Sequence, residues 1–275
     1  RPLMHSHPIR AAVFDIDGTL ALMDKDSGTY AALPGAVAAL RALKARGLPV
    51  MAYTNGTFFP PAHYYPLLAD AGLQLDPGHI LTPATVAARQ LAAQGIGRLL
   101  VIAADGTRVP LRDAGIEVAL AGDAGEVDGV ILGWTKDFGA ADLEAAAQLL
   151  WAGKPLYATS IAPHFAGAKG RLLGISGAVA AALQNATGVK PQVFGKPEVV
   201  GLHDVSTTLG IPMTEMVVIG DDPNLEIAMA RKAGAFAVGV TTGTVDAAGF
   251  NAAAPDMRAQ VVLPGLTDLL AQGWW

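Results

Sequence analysis

The chain has no cysteine among its 275 residues, which excludes disulfides, thiolate metal sites and a thiol nucleophile. Charge is scarce too. Charged residues make up 16% and hydrophobic residues 52%, against about 25% charged in an average soluble domain, so a well-filled interior is expected and disorder is excluded. Basic residues do not cluster. The 19 Lys and Arg stand against 24 Asp and Glu, for a net charge of −5, and the electrostatic footprint of a protein that binds a nucleic acid polymer is missing. Long hydrophobic runs are missing as well. The uncharged stretch from Leu172 to Val189 carries Gly174, Ser176, Gly177, Gln184, Asn185 and Thr187, too polar for a bilayer, so no membrane partner is expected. The opening Arg1 to Arg10 has a basic flank with no apolar stretch behind it and does not read as a signal peptide. Met4 reads as the natural start, His5 and His7 as part of an untethered polar terminus, and the location as cytoplasmic.

What is present is an alternation of short Val- and Ile-rich runs with Ala- and Leu-rich helical patterns, the signature of βαβ units and a parallel sheet. Ala11 to Phe14 and Val50 to Tyr53 are predicted strands, separated by a helix from Pro34 to Arg46 that Gly47 stops. Val193-Phe194, Val217 to Ile219 and Phe236 to Val240 are further strands of the same outer domain. The helices between them begin near Pro197 and Asn224 and end at Gly210 and Gly234. The middle repeats the pattern on its own, with strands at Leu99 to Ala103, Val130 to Leu132 and Pro155 to Ala158 and a helix from Ala141 to Trp151. The expected fold is α/β: a doubly wound, Rossmann-like parallel-sheet core, residues 1–83 and 191–275, with a smaller α/β cap domain inserted as residues 84–190. Trp274-Trp275 at the end of the chain is expected to pack on the core or on a partner.

Four predicted strands of the outer domain stop at polar residues: Asp15 with Asp17, Thr54 with Asn55, Lys196, and Asp221 with Asp222. Ligands of an open parallel sheet bind outside the carboxyl ends of its strands, so these distant residues should converge. Asp15 and Asp17 flank Ile16 in an extended segment and leave it on the same side. Two adjacent carboxylates repel unless a cation lies between them, and all-oxygen ligands suit Mg²⁺. Asp221 can complete that site. A Thr54 hydroxyl and a Lys196 ammonium would then hold negative charge, which together with the metal describes phosphoryl transfer.

The segments Asp15-Ile16-Asp17-Gly18-Thr19-Leu20, Thr54-Asn55, Gly195-Lys196-Pro197 and Gly220-Asp221-Asp222 resemble, in their usual order, the four motifs of the haloacid dehalogenase superfamily. With the insertion between the Thr and Lys motifs, the chain is most similar to the class IIA members, which include pyridoxal phosphate, phosphoglycolate, nucleotide and p-nitrophenyl phosphatases. The resemblance runs from about Ile9 to Leu270. It implies Asp15 as the nucleophile and Asp17 as the general acid and base. It implies Mg²⁺ on the Asp15 carboxylate, the Asp17 backbone carbonyl and the Asp221 carboxylate, and phosphate on Thr54, Asn55 and Lys196. It further implies a small phosphomonoester as substrate and a homodimer as assembly. Three positions depart from the family pattern, the first being Pro197-Glu198-Val199 after the Lys motif, a helix-start variation that places Glu198 well for the helix dipole. Where an Asp usually follows the last motif this chain has Glu226, expected with Asp222 in the shell around the metal. Where the cap usually presents Thr-Asn-x-Asp it reads Thr159-Ser160-Ile161-Ala162. Ser160, His164, Lys169 and Arg171 are the cap residues expected to meet substrate, the last three offering charge for a second anionic group. Asp24 and Asp26 read as solvated loop residues.

The resulting expectation is a Mg²⁺-dependent phosphatase with an aspartyl-phosphate intermediate. A phosphomutase or other phosphotransferase on the same core is the alternative, though such enzymes generally carry a small helical cap between the first two motifs. A phospho-accepting receiver module is disfavoured by motif order, because its phosphoacceptor lies on a middle strand. A halide-releasing enzyme needs neither the metal nor the second carboxylate.

Overall fold

A computed structural model describes residues 6–275; the readings at Met4 and His5 fall outside the described residues. In chain order the strands are β1 (Ala11–Phe14), β2 (Ala21–Met23), β3 (Tyr30–Ala32), β4 (Val50–Tyr53), β5 (Ile80–Leu81), β6 (Arg98–Ile102), β7 (Glu117–Ala119) and β8 (Gly129–Leu132). They continue as β9 (Leu156–Ala158), β10 (His164–Gly167), β11 (Gly170–Leu173), β12 (Gln192–Val193), β13 (Met216–Gly220), β14 (Phe236–Val240) and β15 (Val261–Leu263).

One sheet has the order β15-β14-β13-β1-β4-β5, and every neighbouring pair is parallel. The chain leaves the central strand β1 toward β4 and β5 on one side and returns to β13, β14 and β15 on the other, which is a doubly wound arrangement. β1, β4, β13 and β14 are buried along their whole length, which explains why each is an unbroken apolar run and not an alternating one. A second parallel sheet has the order β12-β9-β8-β6-β7. Two antiparallel hairpins complete the architecture, β2 with β3 and β10 with β11. Both lie in stretches the sequence presents as loops, since each strand is only three or four residues of mainly Ala, Gly and Leu.

The helix predicted from Pro34 begins at Ala36, because Gly35 takes a left-handed φ of 82° before it. Its Ala36, Ala39, Leu40 and Leu43 are buried, the spacing of one helical face. The helix expected near Pro197 runs over Val200–Leu209, and the one near Asn224 opens as a π-helical turn, Pro223–Ile227, before Ala228–Ala233. One strand changes sheets. Val193-Phe194, read as part of the outer sheet, is observed as Gln192–Val193 paired with β9 in the second sheet; its apolar content specifies a strand, while its partner is set by where the preceding helix, Ile175–Thr187, delivers the chain.

The hydrophobic interior is continuous across the two sheets. Val13, Met51 and Tyr53 of the first share one buried cluster with Leu99, Val101, Ile131 and Tyr157 of the second. The terminal pair packs on the core, Trp274 edge-on to Phe236 at 5.2 Å and Trp275 donating its indole N–H to the Leu269 carbonyl at 2.7 Å.

Candidate active site

Asp15 and Asp17 follow β1, Thr54 and Asn55 follow β4, Asp221 and Asp222 follow β13, and Gly243 and Thr244 follow β14. The carboxyl edge of the first sheet thus gathers them at the point where the strand order reverses. Lys196 arrives differently. Its backbone lies just past β12, where the Phe194 N–H still pairs with the Ala158 carbonyl of the second sheet at 3.1 Å, and its side chain reaches the carboxyl edge of the first sheet.

The Lys196 ammonium is buried and uses all three of its protons. It donates to Asp15 Oδ1 at 2.5 Å, Glu226 Oε1 at 2.6 Å and the Tyr53 carbonyl at 2.9 Å. The two carboxylates hold its pKa above the ordinary lysine range against the opposing pull of burial, so it is a fixed positive charge. Asn55 pins it from behind: Asn55 Oδ1 accepts the Lys196 N–H at 2.8 Å and Nδ2 donates to the Lys196 carbonyl at 3.0 Å. The same amide donates to Ser160 Oγ at 3.4 Å. The Asn55 side chain thus has its acceptor and both donors engaged by Lys196 and Ser160.

Four buried carboxylates, Asp15, Asp17, Asp221 and Glu226, face this single buried ammonium. Burial raises the Asp17 carboxyl to about 6, although the Thr54 hydroxyl donates to its Oδ2 at 3.2 Å. Burial and the neighbouring Glu226 raise Asp221 to about 7, partly countered by the Thr244 N–H at 3.1 Å from Oδ2. Burial also raises Asp15 and Glu226, with Lys196 working against it. Glu226 is not separated from the site by water: besides Lys196 it accepts the Asp222 N–H on Oε2 at 3.1 Å. Its extra methylene, relative to Asp, is accommodated where the π-helical turn swings back over Gly220. Asp222 itself caps that turn, accepting the Asn224 N–H at 2.8 Å.

Asp15, Asp221 and Glu226 each offer a carboxylate oxygen within 4.8 Å of the others. An all-oxygen, anionic, buried donor set with raised pKa values fits a hard divalent cation. The buried Tyr30 hydroxyl lies beside Asp17 and helps to lower its carboxyl pKa against burial. Gly243 keeps the site open, because a Cβ there would lie 1.7 Å from Asp221 Oδ2.

Sequence reasoning missed Gly243, Thr244 and the Tyr53 carbonyl. The first two had a signal: Thr241-Thr242-Gly243-Thr244 follows a predicted strand, as the other motifs do. The cap residues divide. Ser160 and His164 line the cavity above the carboxylates together with Ala166 of the hairpin, and that cavity encloses about 60 Å³. Lys169 and Arg171 lie away from that cavity. Lys169 occupies the exposed tip between β10 and β11, where it pairs with Asp26 at 2.5 Å, and Arg171 is exposed on β11. A hairpin, and not a loop folded into the site, carries them outward. Its tip also rests on the first hairpin, the Ala168 N–H donating to the Met23 carbonyl at 3.0 Å. Asp24 stays on the surface, accepting the N–H groups of Asp26 and Ser27 at 2.8 and 3.2 Å.

Comparison with known proteins agrees with this geometry. A family model described as haloacid dehalogenase-like hydrolase matches residues 12–117, and one described as HAD-hydrolase-like matches residues 193–269. A dihydroxyacetone phosphatase from Corynebacterium glutamicum (strain R) is 30% identical over 216 residues, 78% of this chain and 76% of the relative. A glycerol phosphate phosphatase from Mycobacterium tuberculosis, solved in complex with calcium, is 25% identical with a TM-score of 0.84, covering 94% of this chain and 74% of that one. A 4-nitrophenylphosphatase from Thermotoga maritima shares the fold, with a TM-score of 0.85 at 23% identity over 96% of this chain and 97% of that one. Among the described residues no helix is long and apolar enough to cross a membrane. The chain belongs to the haloacid dehalogenase-like hydrolases and is a phosphatase of that family.

Proposed function

We propose that the chain hydrolyses small phosphomonoesters in a Mg²⁺-dependent reaction through an aspartyl-phosphate intermediate. The observation that carries this reading is Asp15 held by a fixed ammonium at 2.5 Å beside the Asp221 and Glu226 carboxylates, with a separate carboxyl, Asp17, raised to about 6. The Asp15 and Asp221 carboxylates and the Asp17 backbone carbonyl would hold Mg²⁺, with Glu226 beside them, and the bound ion would neutralise charge on the phosphoryl oxygens. The M. tuberculosis relative has been solved in complex with calcium and with magnesium.

Lys196 fixes one Asp15 oxygen and leaves the other to attack phosphorus. The new O–P bond forms as the ester P–O bond breaks, and Asp17 gives its proton to the departing alkoxide. A pKa near 6 suits that task near neutral pH. Water then attacks the acyl phosphate, Asp17 takes its proton, and the P–O bond to Asp15 breaks to release inorganic phosphate. Thr54 orients Asp17, and Asn55 orients Lys196 through its peptide. Residues 84–190 serve as the cap: Ser160, His164 and the β10–β11 hairpin roof the small cavity and exclude bulk water during the reaction.

The test is phosphate release from a panel of phosphomonoesters with chelator or added Mg²⁺, for the parent and Asp15→Asn. A brief quench with substrate should also leave a phosphorylated protein that hydroxylamine cleaves. Turnover that persists in Asp15→Asn, or that ignores metal removal, overturns the reading.

A further inference from the structure

Beside the small cavity over Asp15 and Asp17 lies a second, outer cavity of about 500 Å³, and Phe58, Trp134, Phe165 and Ile175 line both, so an aromatic collar stands between the carboxylates and the wider space. The outer volume falls in the ~300–1,000 Å³ range of sites that enclose a whole small molecule. The inner one has room only for a compact group.

The collar is built, not incidental. Phe58 stands four residues after Thr54, is buried, and meets Trp134 edge-on at 4.9 Å and Phe165 at 5.0 Å. Trp134 is tied to the same loop by its backbone N–H, which donates to Thr57 Oγ1 at 3.0 Å. Phe165 comes from the β10–β11 hairpin, so the phosphate-side loop, the second sheet and the hairpin each supply one ring. Beyond the collar the side chains are Met, Phe, Leu and Ile, with two cations, Lys25 and Lys136, and no acidic, hydroxyl or amide side chain. Lys136 holds its ammonium 5.9 Å from the centre of the Trp134 ring.

Such a lining discriminates. The hydroxyls of a sugar or glycerol leaving group would give up water there without gaining partners. A flat apolar body would gain buried area and ring contacts, and an anionic substituent beyond it would meet two lysines. Resting on the phosphatase reading above, we propose that the site is shaped for phosphomonoesters whose leaving group has a planar apolar body ending in an anionic group. The phosphoryl group enters the inner cavity, the body lies in the collar of Phe58, Trp134 and Phe165, and the distal anion faces Lys25 and Lys136.

The experiment compares kcat/KM for glycerol 3-phosphate, benzyl phosphate and 4-carboxybenzyl phosphate with the full chain and Mg²⁺. All three release alkoxides, so binding and not leaving-group reactivity sets the order. Benzyl phosphate is expected to exceed glycerol 3-phosphate by at least about tenfold, and the 4-carboxy ester to exceed benzyl phosphate by about threefold or more. Trp134→Ala is expected to lower the benzyl-to-glycerol ratio at least fivefold, chiefly through KM. Lys25→Ala/Lys136→Ala, a surface change that keeps the test alive if the tryptophan variant fails to fold, is expected to remove the carboxylate advantage. Equal or better use of glycerol 3-phosphate overturns the proposal while leaving the phosphatase reading intact, and so does a carboxylate advantage that survives loss of both lysines. Release of phosphate from none of the three, nor from any other ester, refutes the phosphatase reading and the proposal with it.

Discussion

Replacing Lys196 with Met removes the one ammonium that holds the acidic cluster together while keeping a side chain of similar length. The parent lysine bonds Asp15 and Glu226 at 2.5 and 2.6 Å, and none of the three side chains is more than 8% exposed. Removing one partner of a buried charge pair costs roughly 3–5 kcal/mol, because the charge left behind has neither water nor counter-ion. At about 2–4 °C per kcal/mol for a chain of this size, the melting temperature should fall by roughly 6–20 °C. The measurement is thermal unfolding by circular dichroism in chelator, at pH 7.5 and again at pH 5. The gap should narrow at the lower pH. In the parent, burial raises the Asp15 and Glu226 carboxyls and Lys196 pulls them back, so without the lysine they rise further, and the folded variant gains more stability than the parent as pH falls and those carboxyls protonate. Adding Glu226→Gln to Lys196→Met should recover part of the loss for the same reason. A Lys196→Met protein that melts within about 3 °C of the parent at pH 7.5, or whose deficit is the same at both pH values, refutes this electrostatic account.

Asp17→Asn should separate stability from catalysis. Burial raises the carboxyl to about 6 from its ordinary 3.8, so its ionisation penalises the folded state by about 3 kcal/mol above pH 6 and by nothing below 3.8. The variant should therefore be more resistant to urea than the metal-free parent at pH 7.5 and equal to it at pH 3.5, while kcat drops by about 10²–10⁴; equal urea midpoints at both pH values would falsify the burial argument. Gly243→Ala puts a Cβ 1.7 Å from Asp221 Oδ2 and must displace that carboxylate, so the rise in melting temperature on adding Mg²⁺ should shrink well below the parent's. An undiminished Mg²⁺ response would show that Asp221 does not hold the ion. Lys169→Ala breaks an ion pair to Asp26 whose side chains are 70% and 75% exposed, so its cost should stay below about 1 kcal/mol, readable as a small shift in urea midpoint, and a larger loss would mean the contact is not simply a solvated bridge.

The parallel strands were legible because they are buried on both faces and announce themselves as apolar runs ending in polar residues. β1, β4 and β14 have the bounds expected from Ala11–Phe14, Val50–Tyr53 and Phe236–Val240. Asp15, Asp17, Thr54 and Asp221 were legible for the same reason, since each follows such a run. The hairpins were not. Tyr30–Ala32 and Gly170–Leu173 have neither alternation nor β-branched side chains, and their pairing is supported by contacts far away in sequence. Gln192–Val193 shows the same limit in another form, because its residues specify a strand and say nothing of which sheet receives it. The oxygens and hydrogens contributed by Tyr53 and Thr244 belong to the backbone, which every residue carries. The hydrogen bonds of Asn55 to Lys196 and Ser160 were not legible, because spacing brings a side chain to a site without telling which neighbours take its hydrogen bonds.

The apolar cluster that runs unbroken from Val13 and Tyr53 to Leu99, Ile131 and Tyr157 has a consequence for recombination. A chimaera that exchanged only residues 84–190 would be cut near Ala84 and near Pro191. Here such a cut divides a single oil-filled volume, leaving Met51 and Leu81 on one parent and Val86, Leu91 and Val101 on the other. Grafting a foreign cap would mate two surfaces that were never fitted to each other, with cavities or overlaps along the whole seam. It would also strip β12, which delivers Lys196, of its partner strand β9. A viable transplant has to take the seam as well as the cap, so in this chain the unit of inheritance for substrate choice is larger than the inserted sequence.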